Sequence, residues 1–219
     1  MQYRYRPMVS VTPIEPRWLE WSRKLQAIAQ NGLHFTNDPY DRERYEELRE
    51  IAAEMMAAGS GEPLEAISGL FAGQAGYATP KVDVRGVVFR EDHILLVRES
   101  QDGLWTLPGG WADPNESPSE SVTREIYEES GFETRATKML AVFDRAKHDH
   151  VPLFAFHVYK LFVRCEIESG TARPSLETLD VAFFPESGIP ELSLGRVTPA
   201  QIARFFQHLR HPEWATDFD

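Results

Sequence analysis

The stretch from Gly110 to Phe132 constrains most strongly what this chain can fold into. It reads GWADPNESPSESVTREIYEESGF. Its two prolines disfavour helix before Ser119, whereas residues 119–130 contain neither Gly nor Pro, and Gly131 supplies a stop signal. The sequence therefore predicts a loop, a helix of roughly three turns and a second tight turn.

The predicted helix carries several carboxylates on one face. Glu125, Glu128 and Glu129 lie at spacings that bring their side chains together, with Ser121 one turn before them. Clustered carboxylates hold hard cations such as Mg²⁺, and such cations neutralise phosphate during its transfer. The alternative is a solvated acidic helix, but a helix of that kind more often interleaves lysine with its glutamates.

The same stretch resembles the Nudix box, the signature of hydrolases that act on nucleoside diphosphates linked to another group. The fixed positions of that signature are matched here by Gly110, Glu116, Arg124, Glu125, Ile126, Glu128, Glu129 and Gly131. Phe132 is bulky where the family often has an aliphatic residue. The resemblance implies an α+β chain whose Nudix domain is an α/β/α sandwich with a mixed β-sheet.

The resemblance also implies a role for each acidic residue of the box. Glu125, Glu128 and Glu129 would bind the metal together with the backbone carbonyl of Gly110, and the metal would be Mg²⁺, with Mn²⁺ as the other option. Arg124 would orient a neighbouring glutamate as part of the catalytic set.

Glu116 would lie just outside the set of residues that bind the metal directly. Two residues are candidates for the general base that activates water, Glu129 within the box and Glu177 in a loop outside it. Glu177 could equally be a charge on the loop surface.

Four further residues are candidates for substrate binding. Arg85 and Arg98 could contact phosphates if their strand faces line the cleft, although most charges on strands are solvated. Trp105 could stack on a base or pack beneath the box helix. His148 lies in a polar loop, 147–150, that could touch the second half of the substrate, be simply exposed, or suggest zinc.

Composition limits the classes of partner. The net charge is −11, which disfavours binding to nucleic acid or to an anionic membrane, and no stretch approaches a membrane span. Residues 1–13 lack the apolar run of a signal peptide. Cys165 is the only cysteine and falls in an apolar strand pattern, so we expect it to be buried, in a protein of the reducing cytoplasm.

Two domains are expected, a helical one over residues 1–75 and the Nudix domain over residues 81–219. The first helix carries an apolar stripe of Trp18, Trp21, Leu25 and Ile28. In the second domain the patterns predict a hairpin over 81–97, strands over 138–143, 153–163 and 181–184, and a closing helix that buries Ile202, Phe205, Phe206 and Leu209.

The first domain resembles the helical domain that precedes some Nudix hydrolases acting on CDP-choline or ADP-ribose. Those enzymes are dimers, so the resemblance implies a homodimer and a nucleotide-type substrate. CDP-choline is ranked slightly ahead, because ADP-ribose hydrolases often carry a proline at the place where this chain has Lys147. The alternatives are hydrolysis of dinucleotides or nucleoside triphosphates, or a Nudix-like sensor that binds a nucleotide without cleaving it.

Overall fold

The structure is a computed structural model and describes residues 15–219. The chain divides into two compact units, with the boundary between Ala78 and Thr79. The expectation that residues 1–13 do not form a signal peptide lies outside the described residues, as does the start of the helical domain.

The first unit consists of three helices: α1 (Arg17–Phe35), α2 (Pro39–Ser60) and α3 (Leu64–Ala72). Asp38 caps α2, because its carboxylate accepts hydrogen bonds from two free amides at the start of that helix. Gly61 ends α2 in the left-handed conformation. Among the described residues, no helix is both long and apolar enough to cross a bilayer.

The apolar stripe of α1 does not coincide with the fully buried residues of this helix, which are mostly small or polar: Leu19, Ser22, Gln26 and Ala29. Small side chains let α1 approach α2 closely, and the Ser22 hydroxyl donates to the Ala52 carbonyl at 2.7 Å. Trp21 and Ile28 remain 45% and 53% exposed. Trp18, by contrast, packs over Gly59 of α2.

The second unit is built on a mixed sheet. In the described residues its strands are β1 (Lys81–Arg90), β2 (His93–Glu99), β3 (Trp105–Thr106), β4 (Phe132–Asp144), β5 (Val158–Gly170), β6 (Thr178–Pro185) and β7 (Asp217–Phe218). The order along the sheet is β3-β2-β1-β5-β4-β7, with β6 paired to β2. β1 runs parallel to β5 and antiparallel to β2, whereas β5 and β4 are antiparallel.

A helix covers each face of this sheet. On one face, α4 (Pro118–Ser130) buries Val122 and Ile126 against strand residues that include Val84. On the other face, α5 (Pro199–Arg210) buries Phe205 against a second apolar cluster. The predicted α/β/α sandwich with a mixed sheet, preceded by helices, is confirmed.

Most of the predicted elements of this unit are confirmed, including the hairpin, the closing helix and burial of Cys165. β4 begins six residues before the predicted strand, since its first half carries polar side chains that pair across the strands, such as Arg135 with Glu166 at 2.8 Å. Residues 153–157 were expected in a strand but lie in the loop before β5.

Candidate metal and active site

The box helix is fixed at both ends by its own sequence. Ser117 and Glu120 form a capping box, in which each side chain accepts a hydrogen bond from the other residue's amide. Gly131 ends the helix with a φ of 78°. Gly86 of β1 lies under the helix, where a Cβ atom would come within 2.5 Å of Ile126 Cδ1. The missing side chain therefore lets α4 sit close against the sheet.

The turn before the helix runs alongside β1. The Val84 amide donates to the Gly110 carbonyl, and the Gly86 amide donates to the Pro108 carbonyl, both at 2.8 Å. Gly109 has a φ of 140°, and a Cβ atom there would lie 2.1 Å from the Val84 carbonyl oxygen. Only glycine satisfies this combination of backbone angle and close approach.

Glu129 is the most buried carboxylate of the box. It is 5% exposed, and its Oε2 accepts a hydrogen bond of 2.8 Å from the Gly109 amide. Burial raises the pKa of Glu129 to about 8, although the nearby Arg85 charge and the Gly109 amide act in the opposite direction. The helix thus ends in a carboxylate whose negative charge is poorly compensated by the protein.

Glu125 lies one turn earlier, against the glycine turn. A Cβ atom on Gly110 would be 2.9 Å from Glu125 Oε2, so the Gly110 backbone and this carboxylate are neighbours. Burial also raises the pKa of Glu125, and Arg124 only partly offsets it. A buried and a partly buried carboxylate beside a backbone carbonyl form a set of hard oxygen donors with excess negative charge, which suits a divalent cation.

Arg124 gathers the remaining acidic side chains around itself. It pairs with Glu116 at 2.8 Å, Glu125 at 2.9 Å and Glu128 at 3.0 Å, and more loosely with Asp113. The hydrogen bond to Glu116, with the other carboxylates, raises the pKa of the guanidinium above its usual range. Within residues 15–219, no three acidic, histidine or cysteine side chains are arranged to hold a metal. Glu128 would have to exchange Arg124 for the cation to complete the expected ligand set.

Residues 79–205 match the Nudix domain family, which is more than half of the chain. The chain belongs to the Nudix family. Residues 16–71 match a second family, described as a UDP-X-like, N-terminal oligomerisation domain.

Three relatives are close to this Nudix chain. A Bacillus subtilis (strain 168) protein, provisionally named as the ADP-ribose pyrophosphatase YjhB, is 50% identical over 94% of this chain and 99% of its own. The crystal structure of a UDP-X diphosphatase has 32% identity and a TM-score of 0.60, covering 93% of this chain and 98% of that one. A crystal structure of an ADP-ribose pyrophosphatase from Streptococcus suis 89-1591 has 39% identity and a TM-score of 0.59, covering 64% and 100%.

The Nudix assignment makes this chain a hydrolase of phosphoric anhydride bonds, so the predicted enzyme class is confirmed. Nudix hydrolases generally use divalent metals. The acidic residues of the box are those the sequence singled out. Their individual roles stay predictions.

Arg85 is not a solvated strand residue. It is 5% exposed and clamped by Asp83, with Nε–Oδ1 and Nη2–Oδ2 distances of 3.1 and 2.8 Å, and it donates to the Leu107 carbonyl at 3.2 Å. Burial disfavours its charge, but Asp83 outweighs that effect and raises the pKa of Arg85. Arg85 therefore braces the turn before the box and places a fixed positive charge near Glu129.

Lys160 of β5 completes this buried group, and sequence reasoning missed it. Its Nζ lies 2.5 Å from Asp83 Oδ1, and the two residues face each other in the parallel β1–β5 register. Burial opposes ionisation of Asp83, yet the two cations hold the pKa of Asp83 at about 2. Burial also lowers the pKa of Lys160 to about 8. No pattern within either strand marks Lys160, because β1 and β5 each carry several charged residues.

The other proposed substrate residues make contacts within the protein. Arg98 is exposed and donates from Nε to the Gly103 carbonyl at 2.8 Å. Trp105 packs against the α5-side core and meets Phe184 edge-on. His148 stacks on Phe143 and lies 2.9 Å from an Asp219 carboxylate oxygen. Substrate contact by these residues stays a prediction.

The zinc interpretation of the loop at 147–150 does not fit its geometry. Both ring nitrogens of His150 have protein partners, the Leu194 carbonyl at 2.8 Å and the Gln201 amide at 3.1 Å. Burial lowers the pKa of His150 to about 3, so the ring is neutral and structural. Trp111, which follows the Gly110 turn, stacks on Phe154 of the same loop and remains about half exposed.

A second buried carboxylate lies near the box. Glu99, at the end of β2, pairs with Arg196 at 2.9 Å and is 5% exposed, and burial raises its pKa. The negative charge of Glu99 contributes to the raised pKa of both Glu129 and Arg85. Sequence reasoning missed it, although the charged residues Arg98 and Glu99, directly after the apolar run at 94–97, could have been noticed. Glu177 is exposed, and its negative charge contributes to the raised pKa of Glu99.

Proposed function

We propose that this Nudix hydrolase is a metal-dependent pyrophosphohydrolase. It would cleave a nucleoside diphosphate linked to a small group into a nucleoside monophosphate and a phosphorylated product. The observation that carries this proposal is the pair of carboxylates of the buried Glu129 and the partly buried Glu125, held against the Gly109-Gly110 turn with too little positive charge around them.

The metal would be held by Glu125, Glu128, Glu129 and the Gly110 carbonyl. That carbonyl accepts one hydrogen bond from Val84 and keeps a second lone pair. Mg²⁺, or Mn²⁺ in its place, would supply charge neutralisation at the diphosphate. Because Arg124 contacts Glu116, Glu125 and Glu128, it would hold these side chains near the site before the cation arrives and keep Glu116 oriented after Glu128 has moved to the cation.

Glu129 is the better placed of the two candidate bases. Its carboxylate lies on the Gly109 amide beside Glu125, whereas the Glu177 side chain is exposed and its own backbone carbonyl binds the Ser100 amide at 2.9 Å. In this proposal Glu129 takes a proton from the attacking water, and Arg85 stabilises the carboxylate that does so. Glu177→Gln should then lose much less activity than Glu129→Gln.

The substrate class is supported by the relatives. Two of them are named for ADP-ribose and one for UDP-X compounds. We therefore place ADP-ribose first for this chain, ahead of nucleotide-linked compounds with other bases such as CDP-choline, whose cleavage stays a prediction. The pyrophosphate chemistry is common to all of them, so the choice depends on contacts to the linked group and the base.

The test is product identification by mass spectrometry. The purified protein is incubated with ADP-ribose, CDP-choline, UDP-sugars, dinucleotides and a deoxynucleoside triphosphate, with Mg²⁺ or with EDTA. We expect AMP and ribose phosphate from ADP-ribose with Mg²⁺, and no products with EDTA. Turnover in EDTA, or cleavage of only the triphosphate, would refute the metal role or the substrate class respectively.

We also propose that the chain is a homodimer through its first unit. Residues 16–71 match an oligomerisation domain, and apolar side chains on these helices remain uncovered in a single chain, among them Trp21, Ile28 and Phe35. Sedimentation at micromolar concentration should give a dimer, and Ile28→Asp should shift it towards monomer. A wild-type monomer with full activity would rule this out.

A further inference from the structure

The C-terminal end of the box helix is held by a segment outside the box. A helix leaves its last four carbonyls without intrahelical partners. The Tyr127 carbonyl accepts from the Gly131 amide, and the Ser130 carbonyl accepts from the Arg173 amide, both at 2.9 Å. The Glu129 carbonyl accepts from the Thr178 hydroxyl at 2.8 Å. Two of these three carbonyls are thus satisfied by residues more than forty positions later.

The Thr178 hydroxyl is oriented towards this carbonyl by its surroundings. Thr178 is 2% exposed and begins β6, opposite Glu99 of β2. Its oxygen accepts a hydrogen bond of 2.9 Å from the Ser175 amide. A hydroxyl has a single proton. Because a carbonyl oxygen can only accept, the Thr178 hydroxyl is the donor in its contact with the Glu129 carbonyl.

We propose that Thr178 is a positioning residue for the Nudix box, and this rests on the function proposed above. Its hydroxyl fixes the backbone of Glu129, while the Gly109 amide fixes the carboxylate of the same residue. Glu128 and Glu129 belong to the last turn of α4, the part of a helix that frays most readily. With both ends of Glu129 held, the turn presents these two carboxylates in one arrangement.

A competing explanation runs through Glu177, the neighbour of Thr178. The Ser175 hydroxyl accepts from the Glu177 amide at 3.1 Å and lies 3.2 Å from the Thr178 hydroxyl. Loss of Thr178 could therefore loosen the Glu177 turn without acting through α4. Ser175→Ala separates the two explanations, because it removes the bond to Glu177 and leaves the bond from Thr178 to Glu129.

The main test compares Thr178→Val with Thr216→Val. The Thr216 hydroxyl also donates to a backbone carbonyl at 2.8 Å, that of Met139, on another part of the sheet. We expect Thr178→Val to lower kcat roughly 10–100-fold with little change in KM, as for other residues that support metal ligands. Thr216→Val and Ser175→Ala should keep near-wild-type kcat. Thr178→Ser should recover most of the activity.

Amide hydrogen exchange gives a readout that does not depend on turnover. In Thr178→Val, residues 127–131 should exchange about tenfold faster than in wild type, since one buried hydrogen bond is lost. If Thr178→Val does not fold, Thr178→Ser and Thr178→Ala replace it, since they differ only in the hydroxyl. Unchanged kcat and exchange in the hydroxyl-free variant, or an equal loss in Ser175→Ala, would overturn the proposal. Failure of the proposed function would instead appear as an inactive wild type.

Discussion

Replacing Glu129 with glutamine should make the metal-free protein more stable at alkaline pH while it abolishes activity. The unfolded chain releases this proton near pH 4.5, whereas burial keeps it on the folded protein up to a pKa of about 8. Between these values the folded state binds more protons than the unfolded state. The free energy of unfolding therefore falls as the pH rises through this window. Glutamine removes the titration and keeps the shape of the side chain.

The size of the effect follows from the two pKa values. A pKa difference of about 3.5 units corresponds to about 5 kcal/mol if the whole window is crossed. From about pH 5.5 to about pH 8.5 only part of it is crossed, and the linkage relation gives a wild-type loss of about 3 kcal/mol. The Glu129→Gln variant should lack this loss.

Urea unfolding in EDTA at these two pH values measures the difference. The control is Glu128→Gln, since the Glu128 side chain is 56% exposed and makes a surface ion pair with Arg124. It should follow the wild-type pH dependence. Equal pH dependence in wild type and Glu129→Gln would refute the assignment of a buried, poorly compensated charge to Glu129. Full turnover by Glu129→Gln with Mg²⁺ would refute its catalytic role.

Two further substitutions, at Asp83 and Gly109, test the contacts that support the Nudix box. Asp83→Asn should lower the free energy of unfolding by about 3–5 kcal/mol in urea titrations, because it leaves two buried cations without their carboxylate; a change below about 1 kcal/mol would contradict this. Gly109→Ala should cost more stability than Gly61→Ala and lower kcat more than tenfold, since both positions have positive φ but only Gly109 faces a backbone oxygen. Equal melting temperatures for the two variants would show that the close approach does not matter.

The box could be predicted from sequence because its chemistry and its local structure use the same residues. Spacing alone brings Glu125 and Glu129 to one face, and Gly131 marks the stop. The strands and the closing helix could be predicted for a similar reason, since burial on a sheet produces alternation or apolar runs. In these cases the pattern along the chain reports directly on a face of one element.

The contacts that the sequence did not predict depend on which helices or strands pack against each other. The contact between α1 and α2 uses small residues, including Gly59 beneath the Trp18 ring, so the apolar stripe of α1 marked its packed face only in part. Asp83 and Lys160 find each other only because β1 and β5 are parallel neighbours, a pairing between residues 77 positions apart. No periodicity within either strand contains that information.

The Nudix box holds its carboxylates in an arrangement that is electrostatically unfavourable for the metal-free protein. Repulsion among three acidic side chains within the five residues 125–129 would be relieved most easily by leaving Glu129 in solvent. The helix α4 nevertheless buries Glu129 near its end, and both the backbone and the side chain of this residue are hydrogen-bonded. Burying a carboxylate without a full counter-charge lowers the stability of the apoprotein. A divalent cation reverses the sign of that contribution, because it interacts favourably with the ionised form. Metal binding would therefore relieve the electrostatic cost of burying Glu129 and would stabilise the folded protein, with the metal held at a fixed place beside the diphosphate.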